Sequence, residues 1–199
     1  MLDKIKEIID AIAEREECSG MAMHSVGSQY QRDRLMSVSD IALQKYDGDI
    51  LEIGCHVGLT TKILAEIAQK HGRKVVVVDP WDGRQEGDEA VFQEFLRNVE
   101  NYKDTISINR ISSQSKEAID MIQSSKFAFC WIDGLHTPQA CMSDIIACST
   151  QVGIQAVDDL SWAPGLIEVY HKMSEELGHR KYYNTSCREG YYITESNNG

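Results

Sequence analysis

Three aspartates and a histidine carry the strongest chemical signal in the chain. Asp133 closes the apolar run Phe127-Ala128-Phe129-Cys130-Trp131-Ile132, and Asp158 and Asp159 close Val152-Gly153-Ile154-Gln155-Ala156-Val157. Both runs read as buried strands. Neighbouring parallel strands lie ~4.8 Å apart, so Asp133 can share a site with Asp158 and Asp159. Three carboxylates at an apolar sheet end repel one another and lose hydration. A divalent cation resolves that conflict, and all-oxygen ligands favour Mg²⁺, with Mn²⁺ or Ca²⁺ as alternatives. His136 follows Asp133 by three residues, where a neutral imidazole suits a general base. A bound cation would lower the pKa of a substrate hydroxyl, and His136 would take its proton. Asp144, further along, is expected to be solvated or to support the site from behind.

A second constellation precedes it. Glu52-Ile53-Gly54-Cys55-His56-Val57-Gly58 lies between an expected strand and an expected helix. Glycines at 54 and 58 permit a sharp turn and close approach to a ligand, the place where doubly wound sheets bind nucleotides. The spacing is not G-x-G-x-x-G, which counts against a dinucleotide. Asp79 ends the next strand, where an acid commonly takes ribose hydroxyls. Trp81 offers a face for a base, with ordinary packing as the alternative. Gln114 could accept from a base amino group, and Ser115 either adds a contact or caps a helix. Cys55 in the turn and Asp133 complete the residues expected to line the cofactor, together with Glu52, Gly54, Gly58, Asp79, Trp81, Gln114 and Ser115.

Glu52, two residues before Gly54, resembles the acid of motif I in class I S-adenosylmethionine (SAM) methyltransferases. There it could receive the ammonium of the methionine portion. Asp133-Gly134-Leu135-His136, then Asp144, Val157-Asp158-Asp159 and Trp162-Ala163-Pro164-Gly165 resemble the metal-dependent O-methyltransferase branch. Macrocin O-methyltransferase-type and cephalosporin hydroxylase-like enzymes are the group it is most similar to. The resemblance runs over roughly residues 49–170. It implies SAM over the Gly54–Gly58 turn, Mg²⁺ on Asp133, Asp158 and Asp159, and His136 as base. Related enzymes often carry Glu-Asp where this chain has Asp158-Asp159, and a shorter carboxylate reaches less far. The implied reaction is methylation of a hydroxyl on a small molecule, such as a sugar or a vicinal-diol or catechol-like metabolite. Two rivals are a nicotinamide-dependent oxidoreductase, which leaves the carboxylates without a role, and a non-catalytic SAM- or metal-binding module.

The elements that must position these groups follow from periodicity. Leu2, Ile5, Ile8, Ile9 and Ile12 predict an amphipathic helix over 2–16, and a second helix is expected over about 30–45. Residues 17–28 read as a loop. Strands are expected at 49–53, 74–79, 106–111, 127–133 and 152–157. They alternate with helices at 59–70, 89–102, 115–123, 138–148 and 164–177, the last with Pro164 in its first turn. Two Tyr-rich segments joined by Cys187-Arg188-Glu189-Gly190 predict a hairpin. The fold class is therefore α/β: a Rossmann-like, doubly wound, mostly parallel seven-stranded sheet with a C-terminal antiparallel hairpin and two N-terminal helices. The 199 residues are read as one domain, with 1–46 as helical cover.

Composition narrows the partners. With 20 Lys+Arg against 31 Asp+Glu the formal charge is −11, a poor match for nucleic-acid phosphates. No apolar run approaches the ~18 residues of a membrane span, and the N-terminus lacks the apolar core of a signal peptide. The six cysteines have no C-x-x-C spacing and read as buried thiols of a reducing cytoplasm. A homo-oligomer is left open, with the Tyr-rich hairpin as the candidate interface.

Overall fold

The computed structural model describes residues 1–18, 29–82 and 88–193. The predicted loop at 17–28 lies largely outside the described residues. Seven strands, β1 (Asp49–Ile53), β2 (Val75–Val78), β3 (Ile106–Asn109), β4 (Phe127–Ile132), β5 (Val152–Val157), β6 (Arg180–Tyr183) and β7 (Gly190–Ile193), form one sheet. Its order is β3-β2-β1-β4-β5-β7-β6. The first five strands are parallel, and β7 pairs antiparallel with both β5 and β6. Among the described residues, seven helices accompany it: α1 (Leu2–Cys18), α2 (Gln29–Lys45), α3 (Leu59–Lys70), α4 (Asp88–Val99), α5 (Lys116–Ser124), α6 (Pro138–Cys148) and α7 (Leu166–Leu177). The expected α/β fold is observed.

The central strands bury both faces, which is why they read as unbroken apolar runs. In β4, Phe129 and Trp131 join a core with α1, α2 and α3, whereas Cys130 and Ile132 join the opposite core with α5, α6 and α7. The N-terminal helices thus cover one sheet face. No described helix is long and apolar enough to cross a membrane.

Three expectations need correction. The helix expected over 89–102 ends at Val99 and tightens into a 3-10 turn over Glu100–Tyr102. The helix expected from 164 begins at Leu166, with Gly165 at φ 82° as its N-cap, so Pro164 precedes the helix. The hairpin does not offer Tyr191 and Tyr192 to a partner, for both are fully buried. Strand alternation sends Tyr191 to one core and Tyr192 to the other.

Candidate active site

The ladder brings the two constellations together. The Asp133 amide donates to the Ile53 carbonyl (2.8 Å) and the Asp158 amide to the Ile132 carbonyl (3.0 Å), so β1, β4 and β5 end side by side. Gly54 (φ +83°) packs directly on the end of β4: a Cβ there would stand 2.0 Å from the Asp133 carbonyl oxygen. Glycine is required at this position by chain-on-chain packing as well as by the turn. The glycine turn and Asp133 therefore form one surface.

Around the turn, the Cys55 and His56 amides donate to Asp79 Oδ2 (2.8 and 3.1 Å), and the Trp81 amide donates to Oδ1 (3.0 Å). Asp79 thus pins the turn; a carboxylate with about four acceptor sites still has capacity for ribose hydroxyls. Trp81 is core rather than surface. It packs on Phe92 and Phe95 with centroids 4.9 Å away, and its indole donates to the His56 carbonyl (3.0 Å). Glu52 is fully buried, with only the Thr61 hydroxyl and the Cys55 thiol as nearby hydrogen-bonding side chains. Burial, with Asp133 and Asp79 adding repulsion, pushes its carboxyl up to about 8. Gln114 donates its amide to Asp144 Oδ1 (2.7 Å), which leaves its carbonyl uncommitted by that bond. Ser115 takes the capping role: its hydroxyl accepts from the Ala118 amide (3.1 Å).

At the acidic end, one ligand atom each from Asp133, His136 and Asp159 lies within 4.8 Å of the others. His136 Nε2 stands 3.2 Å from Asp133 Oδ1 and 2.9 Å from Asp159 Oδ2. With carboxylate oxygens on both sides, Nε2 carries the proton, and Nδ1 is the nitrogen left to accept one. Asp159 reaches this cluster because its backbone is left-handed (φ 61°), which turns the side chain out of strand alternation.

Asp158 is not part of that set. Its carboxylate accepts from Gln31 Nε2 (3.2 and 3.4 Å) and, through Oδ1, from the Asp159 amide (2.8 Å). Burial, then repulsion from Asp133 and Glu189, pushes its carboxyl well above the usual range. Asp144 is likewise no solvated group. It is 1% exposed, and burial pushes it up to about 6. Its place on the apolar face shared by Cys141, Ile145 and Cys148 is a signal the sequence carries. With Asp133, Gly134, His136 and Asp158 it lines a small cleft.

Two contributors have no local signal. Gln31 comes from α2, 127 residues away in the chain. Arg188, in the segment between β6 and β7, makes direct ion-pair contact with Asp159 Oδ1, and its Nε lies 3.9 Å from Asp158 Oδ1. Its neighbour Glu189 turns the other way, to Arg34 Nε (2.6 Å), and Arg34 also pairs with Glu16 (2.8 Å).

A methyltransferase-domain family model matches residues 51–157, more than half of the 199-residue chain. The chain belongs to that methyltransferase-domain family. Solved structures agree on the fold. CalS11, a TDP-rhamnose 3′-O-methyltransferase of calicheamicin biosynthesis, has a TM-score of 0.62 at 14% identity, covering 96% of this chain and 94% of that one. The Bacillus cereus O-methyltransferase in complex with SAH gives 0.59 at 16% identity, with 94% and 90% covered. TomG, the Streptomyces achromogenes O-methyltransferase of tomaymycin synthesis solved with SAM, gives 0.59 at 13%, with 94% and 90% covered. A search of curated proteins returns no significant match.

Proposed function

We propose that this methyltransferase transfers a methyl group from SAM to a hydroxyl of a small molecule, assisted by a divalent cation. The observation that carries the reading is the convergence of Asp133, His136 and Asp159 on the strand end against which the Gly54 turn packs. Methyltransferase membership gives that turn a natural ligand, and an acid cluster beside it suits hydroxyl activation. The 199 residues would act as one domain, with residues 1–46 supplying helical cover to it.

The turn fits SAM in one specific respect. Glu52 is a fully buried acid raised by burial and by Asp133 and Asp79, and a cationic ammonium would offset that cost. Asp79 would accept from the ribose hydroxyls and the Gln114 carbonyl from the adenine amino group. SAM supplies an electrophilic methyl on a sulfonium. Trp81 contributes by fixing the His56 carbonyl and the turn, not by stacking.

The acid cluster also fits a cation. Asp133 and Asp159 would hold Mg²⁺, and Asp158 would join only by leaving Gln31. Mn²⁺ or Ca²⁺ is the alternative ion for the same carboxylate oxygens. Such an ion supplies Lewis acidity that makes a substrate hydroxyl easier to deprotonate. His136 Nδ1 then takes that proton while the two carboxylates hold the ring in place through Nε2. The substrate oxygen, freed of its proton, bonds to the methyl carbon as the carbon–sulfur bond breaks. Trp162, 64% exposed and edge-on to His136 at 5.4 Å, and Leu135, 52% exposed, offer apolar faces at the rim for a sugar or aromatic ring. The net charge of −11 argues against nucleic acid as acceptor. Cys55, Cys130, Cys141, Cys148 and Cys187, all free and buried, accord with a reducing, cytoplasmic setting.

The test is calorimetry with SAM, then methyl transfer to a panel of diols, catechols and sugars with and without EDTA. SAM binding plus EDTA-sensitive transfer is expected. Absence of SAM binding sinks methyl transfer, and EDTA-insensitive turnover sinks the cation.

A further inference from the structure

We infer that Arg188 is a built-in counter-cation of the acid cluster, which holds Asp159 in the ion-free protein and works against divalent-ion binding. The inference rests on the cation reading above, since it concerns what the ion must contend with.

The geometry has three parts. First, Arg188 and Asp159 are both buried, with side chains 9% and 5% exposed, and they are in ion-pair contact. Buried charges feel one another far more strongly than charges in water. Second, Arg188 is delivered there by its surroundings. The Leu160 amide donates to the Arg188 carbonyl (2.8 Å), which ties the segment before β7 to the loop that carries Asp159. The adjacent Glu189 could have neutralised Arg188, but it is committed to Arg34 and to the Tyr191 hydroxyl (3.0 Å). Third, Asp159 divides its oxygens. Oδ1 faces Arg188 and Oδ2 faces His136.

The charge count follows. Asp133 and Asp159 bring two negative charges to the converging set, and Arg188, which also reaches Asp158 at 3.9 Å, sets one positive charge against them. A divalent ion therefore meets a half-neutralised pair with a guanidinium on one ligand. Taking the guanidinium away should raise affinity. The opposite view makes Arg188 an orienting support for Asp159. Loss of an outer partner of that kind typically weakens a metal site about 10–100-fold. The two views predict opposite signs.

The experiment titrates Mn²⁺ into the full-length wild type and Arg188→Gln by calorimetry, and records melting temperature with and without Mn²⁺. For Arg188→Gln, a lower melting temperature without metal is expected, because a buried carboxylate loses its partner. Its Mn²⁺ affinity should be at least about tenfold tighter, with a larger melting-temperature gain on Mn²⁺. Arg188→Lys, which keeps the charge, should stay near wild type. Unchanged or weaker Mn²⁺ binding by Arg188→Gln overturns the inference while leaving the cation reading intact. No Mn²⁺ binding by either protein overturns both. Should Arg188→Gln not fold, Arg188→Met, a neutral apolar chain, carries the same test with the same signs.

Discussion

The two halves of the site are built in different ways. The glycine turn is assembled from neighbours: Asp79 ties down the amides of Cys55, His56 and Trp81, all within 24 residues. The acid cluster is assembled from afar. Gln31 reaches Asp158 across 127 residues, and the segment carrying Arg188 is held through Glu189 by Arg34, 155 residues from it. The turn keeps its shape through backbone amides that donate to the single Asp79 carboxylate, whereas the cluster depends on several side-chain charges that must balance. Substitutions should therefore affect geometry in the first region and charge in the second.

That contrast also explains what could be read before the fold was known. Strand runs, the glycine spacing and Asp79 are local patterns, so the sheet and the turn were legible. Asp133, His136 and Asp159 were legible as well, because each ends or follows an apolar run. Asp158 lines the same cleft as Asp133 and His136, but its contact with Gln31 leaves no periodic trace in the sequence. The segment Cys187-Arg188-Glu189-Gly190 reads as a hairpin connection; only the sheet order shows that it lies beside the ends of β4 and β5. For Trp81 the sequence leaves base stacking and ordinary packing open, because it cannot show that Phe92 and Phe95 cover the ring.

The largest effect should come from Asp159. Asp159→Ala removes a cluster carboxylate and strands Arg188. Methyl transfer should fall at least about a hundredfold, of the order of the several kcal/mol a metal contributes. SAM affinity by calorimetry should hold, because the turn is built separately. Loss of SAM binding in this variant would erase the distinction between the halves.

Next is the buried link behind the cluster. Arg34 is 2% exposed and joins Glu16 on α1 to Glu189 beside β7. Arg34→Ala leaves two buried acids without that partner and should cost about 3–5 kcal/mol. Chemical denaturation measures it. A change under about 1 kcal/mol would mean that α2 is not coupled to the site through this ion pair.

A smaller, pH-dependent effect tests the turn. The Glu52 carboxyl is raised from 4.5 to about 8, so between those values the folded chain holds a proton that the unfolded chain releases. Stability conferred by the neutral form is complete below about 4.5 and is lost as pH rises toward 8. Glu52→Gln cannot ionise, so without ligand it should gain on the wild type across that window, by roughly 1.4 kcal/mol for each pKa unit at most. The same variant should bind SAM more weakly if Glu52 receives the ammonium. A stability gain with unchanged SAM affinity would confine Glu52 to a packing role.

The smallest effect belongs to the rim. Trp162 is 64% exposed and meets His136 edge-on, so it touches the cluster without being part of its charge balance. Trp162→Ala should leave folding stability within about 0.5 kcal/mol, as is usual for surface substitutions. Loss of a ring face for the acceptor should raise KM about tenfold, worth about 1.4 kcal/mol, with kcat largely kept. The ratio of the two parameters carries the discrimination. If kcat falls instead while KM holds, Trp162 is steering the His136 ring, and the rim belongs with the charged half of the site rather than with acceptor recognition.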